Sequence, residues 1–135
     1  EVKMDLEWKY KIEVTDPGIF EKKKKERGIS IPKELKTFIM KTNAATPSKY
    51  NFVAGGVERV LGAILSFNKG ESDTDSAFTA FRVIKEKELI PFGIDPFGNY
   101  ICYSLKDSKI VFWDHETDNV TTIADNLTVF LDSLY

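Results

Sequence analysis

One cysteine and one histidine are all that 135 residues supply of the two side chains most used as nucleophile, metal ligand or proton shuttle. A lone Cys102 excludes an intramolecular disulfide and a cysteine-rich zinc site, and it agrees with a reducing compartment. A lone His115 means that any catalytic triad or histidine metal site either centres there or is absent. Long apolar runs are missing as well. No stretch approaches the roughly 20 residues of a spanning helix, and the opening EVKMDLEWKYK lacks the uninterrupted apolar region of a secretory signal. The cytoplasm is therefore the expected compartment, with no membrane partner. The chain opens on Glu1 and not on Met, as a trimmed native start would. Gly55-Gly56 has neither the dinucleotide nor the Walker glycine spacing, so it reads as a turn and no nucleotide cofactor is expected.

What is present is the mix of an ordinary globular protein: 42% hydrophobic, 30% charged and 13% aromatic, with ten Phe, five Tyr and two Trp. The length suits one domain over 1–135, and the rings predict an aromatic core. The net charge of −2 conceals an asymmetry. Residues 1–90 carry 17 Lys and Arg against 14 Asp and Glu, whereas residues 91–135 carry 2 against 7, so the two parts stand at +3 and −5. An acidic final third repels a phosphate backbone and attracts a basic surface, which disfavours direct nucleic-acid binding there.

Along the chain, Asp16-Pro17 reads as cap and first position of a helix that stops at Gly28. Its EKKKKER stretch reads as a solvated face, with Ile19 and Phe20 turned inward. A second helix is predicted from Pro32, with Leu35, Phe38 and Ile39 on one stripe and Asn43 as a left-handed stop. NAATPSKYNFVAGG reads as a loop, VERVLGAILSFN as a strand and Asn68-Lys69-Gly70 as a turn. A third helix is expected over AFTAFRVIKEKE behind an Asp75 cap. From residue 89 short apolar runs alternate with turn signals, the pattern of an antiparallel meander: LIPFGID, NYICYSL and KIVFWD as strands, DPFG and KDS as turns. Both faces of the middle strand carry apolar residues, so helices should pack on this sheet. In ADNLTVFLDSLY, Leu127, Phe130, Leu131 and Leu134 keep helical spacing behind Asp125 or Asn126. The fold class is accordingly α+β, a mostly antiparallel sheet flanked by helices.

The chemistry is sparse. Asp114, His115 and Glu116 are the residue types of a divalent metal site. In an extended segment, however, alternate side chains face opposite ways, so a three-residue cage does not close. The expected reading is a polar turn ending a buried strand, with Trp113 in the core and no metal. Cys102 sits between Ile101 and Tyr103, where a cysteine acts as an inert small hydrophobe. No catalytic residue is assigned.

LIPFGIDPFGNYICYSL, then IVFWDHE, then IADNLTVFLDSL resemble the closing half of the SUKH superfamily, and within it the group of the yeast cell-wall regulator Knr. GISIPKELKTFIMKTNAATP is similar to the stretch around that family's second helix, with Ala44 and Ala45 where glycines are usual. The resemblance covers nearly the whole chain. It implies an α+β, SUKH-like fold, no enzyme activity, and the role of many bacterial members: an immunity protein that neutralises a cognate polymorphic toxin, often a nuclease, by direct contact. The alternative it implies is a regulatory adaptor of the Knr type. Of the matched positions, Pro91, Phe92, Gly98, Tyr100 and Trp113 suit turns and core. Asp95, Asn99, Asp114, His115 and Glu116 are polar groups near strand ends, expected within reach of a partner. Oligomeric state is left open.

Overall fold

The computed structural model of the chain describes residues 6–68, 76–86 and 88–135. In chain order these form β1 (Trp8–Lys9), α1 (Ile19–Arg27), α2 (Lys33–Thr42), β2 (Thr46–Pro47), β3 (Asn51–Ala54), β4 (Val57–Val60), β5 (Ala63–Ile64), α3 (Ala77–Val83), β6 (Leu89–Ile94), β7 (Tyr100–Ser104), β8 (Ile110–Trp113), β9 (Val120–Ala124) and α4 (Leu127–Ser133). The centre is a five-stranded antiparallel sheet in the order β5-β6-β7-β8-β9, so the predicted meander is its frame. β1 pairs with β2 and β3 with β4 in two small sheets beside it. The architecture is the predicted α+β class.

Every residue of β6, β7 and β8 is buried, which explains runs that are apolar on both faces. One face is tied to its cover by a line of rings. Trp8 meets Phe38 of α2, Phe38 meets Phe92 of β6, and Phe92 meets Phe130 of α4. Phe130 then meets Phe52 of β3 and Phe52 meets Phe112 of β8, with centroids 5.5–6.4 Å apart and five mostly edge-on contacts. A β-bulge between Pro91 and Gly93 sets Phe92 outside the regular register with β7. On the other face Tyr100 stacks on Trp113 at 5.8 Å, beside fully buried Cys102.

The helices refine the sequence reading. Gly28 stops α1 in the left-handed region, its N–H bonding Lys24 O, as predicted. Asp16 does not cap the helix: its Oδ1 accepts from Gly18 N at 2.9 Å, closing a turn over Pro17, and the helix starts only at Ile19. Ile19 and Phe20 are buried, and most of the lysine run is solvated. Lys23 is the exception, lying over the Phe78 and Phe81 rings at 4.6 and 4.9 Å. α2 buries Leu35 and Ile39 as expected. Asn43, however, has φ −50 and ψ 125, and it is Ala44 that takes the left-handed turn at φ 62. Asn43 is withheld from that role because its buried side chain is a crosslink, donating to Ile12 O and accepting from Phe67 N.

The segment predicted as a loop before the glycine pair contains β2 and β3. Gly55 and Gly56 form the tip of the β3–β4 hairpin with φ 58 and 80, a two-residue turn whose backbone demands two positive φ values. The long strand predicted over 57–68 is broken after Val60, where Gly62 N donates to Ile94 O and the chain swings from the hairpin to the sheet edge. α3 is shorter than predicted and is capped by Ser76, whose side chain accepts from Phe78 N. Asp75, like Lys69 and Gly70 of the predicted turn, lies outside the described residues. α4 is capped by Asn126, which accepts from Val129 N, and not by Asp125. β9 had no counterpart in the sequence reading.

Candidate functional site at one end of the sheet

Tyr100 opens β7 and pairs with Trp113, which ends β8. The β6–β7 turn (95–99) and the β8–β9 turn (114–119) therefore emerge side by side at the same end of the sheet. The five residues singled out from the sequence all lie in these two turns, and the structure divides them by role.

Asp95 and Asn99, both expected within reach of a partner, are 4% and 3% exposed, with Asn99 on the wall of the cleft between the two turns. They are the frame of the site. Asp95 Oδ1 accepts from Phe97 N at 2.8 Å and Asn99 N at 2.9 Å, and Oδ2 accepts from Asn99 Nδ2 at 2.9 Å. Three hydrogen bonds offset the cost of burying the carboxylate and fix the turn. Gly98 sits in it at φ 90, with the His115 ring within 4.0 Å of where a Cβ would be. The positive φ favours glycine there, and the ring lies at ordinary contact distance.

The network then passes outward. Asn99 Oδ1 accepts from His115 N at 2.9 Å and lies 2.7 Å from His115 Nδ1. The proton positions follow from donor logic. A carboxylate only accepts, so the Asn99 amide nitrogen must face Asp95 and its oxygen must face His115. That oxygen also only accepts, so Nδ1 carries the proton. In neutral His115 the exposed ring nitrogen, Nε2, is therefore the bare acceptor. The Asp95–Asn99–His115 chain sets both the pose and the tautomer of the imidazole.

Asp114, His115 and Glu116 form the polar turn expected at the end of a buried strand. In it Asp114 Oδ1 accepts from Glu116 N at 2.8 Å and Asp118 N donates to Asp114 O at 2.8 Å. Asp118 Oδ1 accepts from Trp113 Nε1 at 2.5 Å, fastening the turn to the core ring beneath it. His115 and Glu116 are exposed and Asp114 is half-buried. Among the described residues no group of three His, Cys, Asp or Glu side chains gathers to hold a metal ion. Cys102 lies fully buried in β7, where desolvation pushes its thiol pKa far up and leaves no thiolate for nucleophilic chemistry.

Between the two turns is a shallow cleft of about 420 Å³ lined by Arg59, Phe97, Asn99, Asp114, His115 and Glu116. Sequence reasoning missed two of these. Phe97 is 72% exposed on the DPFG turn, and a large ring at a turn tip was the available signal. Arg59 comes from β4, directly opposite Phe52, with its guanidinium 4.7 Å from the Phe112 ring centre. Nothing in the local sequence announces a charge on the inward side of that hairpin. Elsewhere, one groove runs along α1 and α3 beside Arg27, Phe81 and Arg82, and another lies near Glu88, Lys106 and Thr122. No helix among the described residues is long and apolar enough to cross a membrane.

No curated protein matches this chain. A family model does: the SMI1 / KNR4 family (SUKH-1) matches residues 16–133, from the turn before α1 to the end of α4, taking in both turns of the cleft. With that match over the α+β fold described above, the chain belongs to the SMI1 / KNR4 (SUKH-1) family.

Proposed function

We propose that this chain is an immunity protein that neutralises a cognate polymorphic toxin, of the kind that is often a nuclease, by direct protein–protein contact. On this reading it works as one domain over 1–135, in the cytoplasm, without cofactor, metal or reaction of its own. The observation that carries the reading is the relay from Asp95 through Asn99 to His115. It commits two buried polar side chains to holding one exposed imidazole between Asp114 and Glu116. Rigid polar groups at the end of a sheet suit recognition, because little conformational entropy is lost when a partner docks. The −5 balance of residues 91–135 suits a basic partner surface, including the nucleic-acid channel of a nuclease, where carboxylates stand in for phosphates.

The test is a titration of the purified chain against the product of the adjacent gene, at low and at high salt, alongside co-expression of the two. Tight binding, weakened by salt, together with rescue of growth is the expected result. No binding and no rescue would remove the immunity reading for that pair and bring the regulatory-adaptor reading forward.

A further inference from the structure

The cleft contains two residues whose state in the free chain is unfavourable and which the immunity reading does not by itself explain. Phe97 holds its ring 72% exposed. It is not on a loose loop: the buried Asp95 carboxylate binds its backbone N–H at 2.8 Å, and the same carboxylate sets the Asn99 amide that orients His115. An exposed aromatic whose main chain is held by a buried charge loses little backbone freedom on docking and offers a large area to desolvate, the properties of an interface anchor. Arg59 is the second. Its guanidinium lies against Phe112, its buried Nε has no hydrogen-bond partner, and no carboxylate among the described residues pairs with it, although Asp114 and Glu116 line the same cleft. A buried donor without an acceptor is costly in the free state.

We infer that Phe97 and Arg59 form the energetic centre of the contact surface, and that its occupant is a basic loop of the partner protein whose apolar pocket receives the Phe97 ring. This deepens the immunity reading and rests on it. The loop's cations meet Asp114 and Glu116, with Asp118 in the same turn, and its main-chain carbonyls supply acceptors for the Arg59 guanidinium. The Nε2 lone pair of neutral His115 accepts from a partner N–H, and it would turn away a donor-poor acidic surface. Charge complementarity thus selects a basic segment over an acidic one.

The experiment is calorimetric titration of the full chain, native and Phe97→Ala, against the adjacent-gene product, with urea unfolding and sedimentation of both chains as controls. Because Phe97 is exposed, the variant should unfold at the native midpoint. We expect its affinity to fall at least about 30-fold, the scale of an interface hot spot. Phe97→Leu, which keeps apolar volume, should recover much of that loss, and Glu116→Arg should weaken binding most at low salt. Native binding with Phe97→Ala unchanged would overturn this inference and leave the immunity reading standing. No binding by the native chain would overturn both. Self-association of the native chain that Phe97→Ala abolishes would overturn it too, because the occupant would then be a second copy.

Discussion

Removing the Asp95 carboxylate should damage the fold more than its place in a turn suggests. In Asp95→Ala three donors lose their acceptor: Phe97 N, Asn99 N and Asn99 Nδ2. Phe97 is exposed and its N–H can turn to water, but both Asn99 donors sit in a residue only 3% exposed. Each buried donor left unsatisfied costs about 1–3 kcal/mol, and relief from burying one fewer charge returns part of that. A net loss of about 3 kcal/mol follows, a large share of the roughly 5–15 kcal/mol that stabilises a typical domain. With a urea slope of about 2 kcal/mol/M, the midpoint should fall by about 1.5 M. Asp95→Asn separates geometry from charge. It keeps one acceptor but turns an NH₂ toward Asn99 Nδ2, so either that contact is lost or the Asn99 amide flips and presents a donor to His115 Nδ1–H. Long-range ¹⁵N imidazole spectra should therefore show His115 as the Nδ1–H tautomer in the native chain, and a loss of that preference in Asp95→Asn wherever the Asn99 amide flips. A midpoint shift under about 0.5 M for Asp95→Ala, or a native His115 that is not the Nδ1–H tautomer, would refute the relay.

Two further perturbations probe the core beneath the site. In Gly93→Ala the added Cβ would lie 2.7 Å from Leu61 Cδ1 and 3.3 Å from Ile101 Cβ, both on fully buried side chains. Overpacking of this kind costs about 1–3 kcal/mol, so the melting temperature should drop measurably, and an unchanged one would show that Leu61 has room to move. Burial pushes the Cys102 thiol pKa up, and burial followed by the hydrogen bond to Glu34 raises that of Tyr103. Both groups thus hold their protons in the folded chain to higher pH than in the unfolded one. Their contribution is fully present below the unfolded cysteine value of about pH 8.5 and is lost as pH rises above it. The urea midpoint should decline from pH 8 to 10.5, less steeply in Cys102→Ala, and a flat profile would count against the burial of both.

The meander was legible because β6, β7 and β8 are buried on both faces, so their runs are nearly all apolar and the turns between them carry Pro, Gly and Asp. α4 was legible for the complementary reason, a clean apolar stripe behind an Asn cap. β9 was not, since VTTIA buries only its last residue and its Thr pair carries little hydropathic signal. Asn43 shows a different limit. Local propensity favours it as a left-handed stop, yet long-range bonds to Ile12 and Phe67 hold it elsewhere and Ala44 takes the strain. The site was half-legible. All five polar positions fall at one end of the sheet, but that Asp95 and Asn99 face inward depends on how the two turns meet, and Arg59 arrives from a hairpin some 40 residues upstream of them. Periodicity within a strand carries no information on either point.

On the proposed function, the paired turns at this end of the sheet are the surface that grips a protein partner. Amide hydrogen exchange on the chain, alone and saturated with the adjacent-gene product, tests it most directly. Slowed exchange is expected at residues 96–99 and 114–119 and in the neighbouring β4 strand alone, with α1 and α3 unchanged. Protection along the α1–α3 groove, with both turns exchanging as in the free chain, would contradict it.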